Sequence, residues 1–139
     1  MIVVDTGALL AAYWKTQQAH RGVMRVLASE PGPLLLTSHV LTETDYMLST
    51  RVGVDAELGL LADVRNGIYT TVELRADDLE KAITVIERYR DHNIGLADAS
   101  VVVTAARYRT TRILGLDERH FRMIRPLYGD AFTLLPADG

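Results

Sequence analysis

The sequence predicts an α/β fold with a central, mainly parallel sheet. Two observations carry this. Short apolar runs alternate with helical segments along the chain, the order that builds a parallel sheet covered on both faces. The chain also has 139 residues and is 48% hydrophobic, one domain's worth of sequence with apolar surface for a single core, so residues 1–139 are read as one domain. Right-handed crossovers are expected between the strands.

The elements follow in order. Met1 to Val4 is a short β-branched strand ended by Asp5, and Thr6-Gly7 opens a helix over Ala8 to about Trp14. A second helix runs near Gln18 to Ser29, with Val23, Val26 and Leu27 as its apolar stripe. Pro31-Gly32-Pro33 is the strongest punctuation, with further turns at Gly53, Gly67 and Gly129. Leu34 to Leu36 is the next strand. Thr37 and Ser38 then offer caps for a helix from about Val40 to Thr50. Another helix spans roughly Asp55 to Arg65, and Ile68 to Glu73 is a strand. An amphipathic helix starts at Asp77 or Asp78 and carries Leu79, Ala82, Ile83, Val85, Ile86 and Tyr89. Ala97 to about Tyr108 is a more apolar helix and is read as central. Arg112 to Leu116 is a strand ending at Asp117, followed by a short helix over Glu118 to Arg122. Weaker strands are expected at Met123–Ile124 and Phe132–Leu134.

In such sheets the functional site lies beyond the carboxyl ends of the strands, where strand order reverses. Asp5 and Asp117 each stand just after a strand. Glu43 lies one turn into the helix after the second strand, and Asp98 lies in the first turn of the apolar helix. Four acids from four distant segments thus converge on one edge. Carboxylates gathered in one cleft repel, and a hard divalent cation removes that penalty. Oxygen donors without cysteine or paired histidine select Mg²⁺ or Mn²⁺ over zinc. Such an ion activates water for in-line attack on phosphorus, so no protein nucleophile is needed. Each acid alone also admits a structural reading. Asp5 can cap the helix after it, Asp98 can serve the helix dipole, Glu43 can be a solvated helix residue, and Asp117 can be a turn residue. Their joint placement favours metal.

Four segments resemble the acidic motifs of PIN domains, and most closely those of VapC-type toxins. They are Met1-Ile-Val-Val-Asp5-Thr6-Gly7-Ala8-Leu9-Leu10, Thr37-Ser38-His39-Val40-Leu41-Thr42-Glu43, Gly95-Leu96-Ala97-Asp98-Ala99-Ser100 and Leu116-Asp117-Glu118-Arg119-His120-Phe121. The resemblance covers essentially the whole chain. It implies a three-layer α/β/α sandwich, Mg²⁺- or Mn²⁺-dependent RNA cleavage, a homodimer and a small antitoxin partner whose tail can occupy the groove. Carried over, Asp5 and Asp98 are the surest metal ligands, Glu43 binds through water or orients it, and Asp117 completes the site or helps place a second metal. Thr6 matches a supporting position. Gly115 stands where many relatives have Ser or Thr, and Ile94 and Val102 leave no fifth acid beside Asp98.

Other features bound the function. Cysteine is absent, which excludes thiol catalysis, a Cys-type zinc site and disulfides and fits a cytoplasmic setting. No run suits a membrane span or a signal peptide. The net charge of −3 runs against the basic surplus usual in nucleic-acid binders, but all basic residues except Lys15 and Lys81 are arginine, which suits phosphate. Arg112, Arg119, Arg122 and Arg125 crowd the segment around Asp117, either as contacts to RNA or antitoxin or as ordinary solvated charge. His120 is read as a surface histidine rather than a proton donor, and Trp14 as packing. Tyr46, Met47, Leu58, Leu60 and Leu61 offer an apolar interface or plain core. The competing classes are a catalytically silent binding module of the same fold and a metal-dependent phosphotransfer receiver. A receiver needs an acid pair after the first strand and a late lysine. Asp5 is flanked by Val4 and Thr6, and no lysine follows Lys81.

Overall fold

The computed structural model describes residues 1–139. Its centre is a five-stranded, all-parallel sheet in the order β3-β2-β1-β4-β5. The strands are β1 (Ile2–Val4), β2 (Leu34–Thr37), β3 (Thr70–Val72), β4 (Arg112–Leu114) and β5 (Thr133–Leu135). Seven helices connect them: α1 (Thr6–Ala12), α2 (His20–Ser29), α3 (Ser38–Arg51), α4 (Val54–Arg65), α5 (Ala76–Arg88), α6 (Leu96–Arg107) and α7 (Glu118–Met123). A 3₁₀ turn, Arg90–His92, precedes α6. None of the helices is long and apolar enough to cross a membrane.

The central strands are buried on both faces, so they read as continuous apolar runs rather than alternating ones. Thirty-two buried apolar residues form one cluster around them. β3 is an edge strand, and there Thr70 and Thr71 face solvent while Val72 is buried. α6 is apolar all round. Residues 99–105 are all buried, as the sequence led one to expect of a central helix.

The chain leaves β1 in one direction through β2 and β3. It then crosses back over β1 with α5 and α6 to place β4 on the other side. Strand order therefore reverses between β1 and β4. A receiver-type sheet has the order 2-1-3-4-5 instead, so the topology excludes that class.

Two expectations need correction. Met123–Ile124 is not a strand. Met123 ends α7, and the Ile124 N–H continues the helical pattern to the His120 carbonyl at 2.9 Å, with Pro126 stopping the helix soon after. The strand expected over Ile68 to Glu73 is shorter, because Ile68 is exposed and Tyr69 turns inward beside Tyr13, with 2.9 Å between their hydroxyls. Of the five apolar residues on α3 and α4, Leu60 is fully buried and Met47 packs on the core, while Tyr46, Leu58 and Leu61 stay exposed. Trp14 packs against the core as read.

One buried junction positions the functional edge. Thr37 caps α3, its hydroxyl accepting from the Val40 N–H at 3.1 Å. The Ser100 hydroxyl donates to the Ala97 carbonyl at 2.7 Å, so in its 2.8 Å contact with Thr37 the threonine is the donor. Both side chains are fully buried. This chain of hydrogen bonds fixes the start of α3, which carries Glu43, against the first turn of α6, which carries Asp98.

Candidate active site

Asp5 and Asp117 follow β1 and β4, on the two sides of the point where strand order reverses. The Asp5 N–H extends the β1–β4 ladder to the Leu114 carbonyl at 2.9 Å. Asp5 occupies the N-cap position of α1, yet its side chain makes no capping bond. The residue is only 3% exposed, and its Oδ1 is buried without a hydrogen-bond partner. The helix-cap reading of Asp5 therefore fails for the side chain. Thr6 beside it is also buried, and its hydroxyl likewise has no partner. Gly115 has a steric role here: a Cβ would stand 3.2 Å from Ile113 Cγ2 and 3.5 Å from Asp5 Cβ. Its missing side chain lets the segment leading to Asp117 pass against Asp5.

Asp117 does act as a cap. Its Oδ1 accepts from the His120 N–H at 3.2 Å. Its Oδ2 lies 3.2 Å from His120 Nδ1, and the same nitrogen lies 3.1 Å from Asp98 Oδ2. His120 thus stands between two of the acids. The reading of His120 as a plain surface residue is corrected: its side chain is 21% exposed and faces the site. The signal available in the sequence was its place one helical turn after Asp117.

The electrostatics show that all four acids share one field. Asp5 is pushed up to about 7, first by burial and then by Asp98, with Asp117 and Glu43 adding to it and the Thr6 backbone N–H opposing. Asp98 is also raised, chiefly by burial, with Asp117 and Glu43 pushing up and His120 pulling down. Glu43 is solvent-exposed at the rim. Ile94 and Val102 are buried and bring no fifth acid.

No three acid or histidine side chains are closed into a ready-made ligand set. His120 occupies the gap between Asp98 and Asp117. The donor set still fits a hard divalent cation. All four candidates are oxygen donors, and Asp5 keeps a buried oxygen that nothing in the protein satisfies. An ion that retains several waters needs only one or two direct carboxylates.

The arginines separate. Arg112 is at the start of β4, the opposite end of the sheet from Asp117. It donates to Glu30 at 2.6 Å and to the Met1 carbonyl at 3.2 Å. Burial alone would raise the Glu30 carboxyl, but the Met1 ammonium and Arg112 outweigh it and hold the group below its usual range. Arg112 is thus a structural partner of Glu30, at the end of the sheet away from the acids. Arg122 is committed to Asp138 at 2.6 Å and to Glu118 at 3.2 Å. Arg119 is exposed and engaged in no ion pair.

Residues 2–125 match the PIN domain family model. The chain is 41% identical over 135 residues to ribonuclease VapC26 of Mycobacterium tuberculosis, an alignment covering 97% of this chain and all of that one. Its fold is similar to that of VapC20 of M. tuberculosis, described as a sarcin–ricin-loop-cleaving toxin, with TM-score 0.77, 24% identity and coverage of 84% and 90% of the two chains. It is also similar to the fold of VapBC2 of Rickettsia felis, solved bound to a DNA fragment from the promoter, with TM-score 0.69, 18% identity and coverage of 96% and 98%. The chain belongs to the PIN-domain family, in its VapC-type branch.

Proposed function

We propose that this chain is a Mg²⁺- or Mn²⁺-dependent endoribonuclease and the toxin of a toxin–antitoxin pair, with residues 1–139 acting as one nuclease domain. The observation that carries it is Asp5: a buried carboxylate with an unpartnered oxygen, at the reversal of strand order, in the field of Glu43, Asp98 and Asp117. Identity of 41% to a ribonuclease over the chain's length supports RNA as the substrate.

Asp5 and Asp98 would hold the ion, Asp117 would complete its surroundings, and the unpartnered Thr6 hydroxyl beside Asp5 would be free to hydrogen-bond a water on the ion. When bound, the ion supplies an acidified water and neutralises charge on the phosphate. In hydrolysis a water oxygen would bond to phosphorus as the bond to the leaving ribose oxygen breaks, and that oxygen would take a proton from solvent water. Glu43, exposed at the rim, would orient the attacking water and take its proton on the carboxylate. His120 holds Asp98 and Asp117 in register through its Nδ1.

The proposed partners are RNA, an antitoxin whose tail enters the acid groove and a second copy of the chain, all in the cytoplasm. The solved relatives that are toxin–antitoxin complexes support the antitoxin partner. The test is sequencing of RNA 5′ ends after induced expression of the wild type beside Asp5→Ala. New ends confined to the wild type support the reading. Identical end profiles contradict it.

A further inference from the structure

Beside the acid pocket lies a second depression that the hydrolytic chemistry does not use. A cleft of about 440 Å³ is lined by Asp91, His92, Asn93, Arg119, His120 and Met123. One wall is the 3₁₀ turn with Asn93 in the left-handed conformation at φ 56°, and the other is α7. The walls are tied together, because the backbone N–H of Arg125, just past α7, donates to the Tyr89 hydroxyl at 2.8 Å, just before the turn. His120 belongs to both sites. Its Nδ1 meets Asp98 and Asp117 while the residue also lines the cleft, so the cleft adjoins the acids.

We propose that this cleft binds the nucleotide adjoining the scissile phosphate of a single-stranded RNA, with Arg119 on its phosphate and His92 and Asn93 on its base.

The lining carries the groups that such recognition needs. Arg119 is an uncommitted guanidinium, a planar fork suited to a phosphate. The exposed His92 imidazole and Asn93 amide each offer donors and acceptors to a base edge. Met123 gives a polarisable apolar surface for a base face. An acidic peptide would use only the cations here. A single-stranded nucleotide uses the amide, the imidazole and the apolar patch as well. The other arginines of this segment that pair with acids, Arg112 and Arg122, already have their partners.

The inference rests on the nuclease reading, and its test separates the two. Binding is measured by fluorescence anisotropy with a short single-stranded RNA across a salt series, in the Asp5→Asn background, with and without Arg119→Ala. Loss of one phosphate contact should weaken binding about tenfold and reduce the salt slope by about one. Cleavage is measured in the otherwise native chain. Arg119→Ala should raise KM with kcat changed by less than about twofold. His92→Ala and Asn93→Gly should alter the base preferred at one position beside the cut; glycine is chosen because it keeps the positive φ at that site. Unchanged affinity, salt slope and cleavage pattern in all three variants overturns the inference. So does dependence on Arg119 of polyglutamate binding but not of RNA binding. Absence of any cleavage by the wild type overturns the nuclease reading, while the anisotropy arm still decides the cleft.

Discussion

Replacing Asp5 with asparagine should stabilise the metal-free protein while abolishing its activity. The unfolded chain ionises this group near 3.8, and the folded chain holds its proton up to about 7. Because the folded pKa is raised, linkage makes the group's favourable contribution complete below about pH 4 and removes it as pH rises through 7. Each tenfold difference in proton affinity between the folded and unfolded chain is worth about 1.4 kcal/mol, so the ionised Asp5 costs the metal-free fold about 4 kcal/mol at pH 8. Asparagine removes the charge and keeps the shape, but its buried amide lacks full hydrogen bonding, which returns about 1–2 kcal/mol of that gain. The expected net is a variant about 2–3 kcal/mol more stable than wild type at pH 8 in EDTA, and no more stable at pH 4. Urea denaturation at several pH values reads this directly, with unchanged m as the control. An Asp5→Asn protein that is no more stable at pH 8, or a difference that does not vary with pH, would refute the electrostatic argument.

Asp78 is 3% exposed at its side chain and pairs with Arg107 at 2.8 Å, so Arg107→Met should cost about 3 kcal/mol in denaturant melts by stranding a buried charge. Thr37→Val removes both the α3 cap and the donor to Ser100, for an expected loss of about 1–3 kcal/mol, and cleavage should fall as Glu43 and Asp98 lose their common anchor. Arg122→Ala should leave RNA affinity unchanged and stability within about 1 kcal/mol in the same assays, because the side chain is solvent-exposed and paired with Asp138 and Glu118. Gly115→Ser places a Cβ against Ile113 and Asp5 and should cost about 1–2 kcal/mol in thermal or denaturant unfolding.

The parts legible in the sequence were those set by repetition of a physical pattern. β1, β2 and β4 are apolar runs each ended by a helix start, and the amphipathic stripe of α5 and the all-apolar face of α6 announced their burial. Asp5, Glu43, Asp98 and Asp117 could be placed at one edge because a parallel sheet puts strand ends and the following helix starts together. What stayed hidden depended on register in space. The strand reading put Arg112 at the end away from Asp117, but nothing local showed that Glu30, 82 positions away in sequence, waits there to pair with it. His120 looked exposed because its partner Asp98 lies 22 positions back and across the site. Met123–Ile124 carries strand-like residues, but the Asp117 cap extends the helix through Met123.

If these carboxylates act on RNA through a divalent cation, cleavage must follow metal concentration. The rate on a labelled RNA is followed against Mn²⁺ concentration for the wild type, Asp5→Asn and Asp98→Asn. A saturating metal dependence for the wild type, no cleavage in EDTA and a loss of at least about a hundredfold in both variants is the predicted result. Cleavage that persists in EDTA, or that survives in Asp98→Asn, would contradict it.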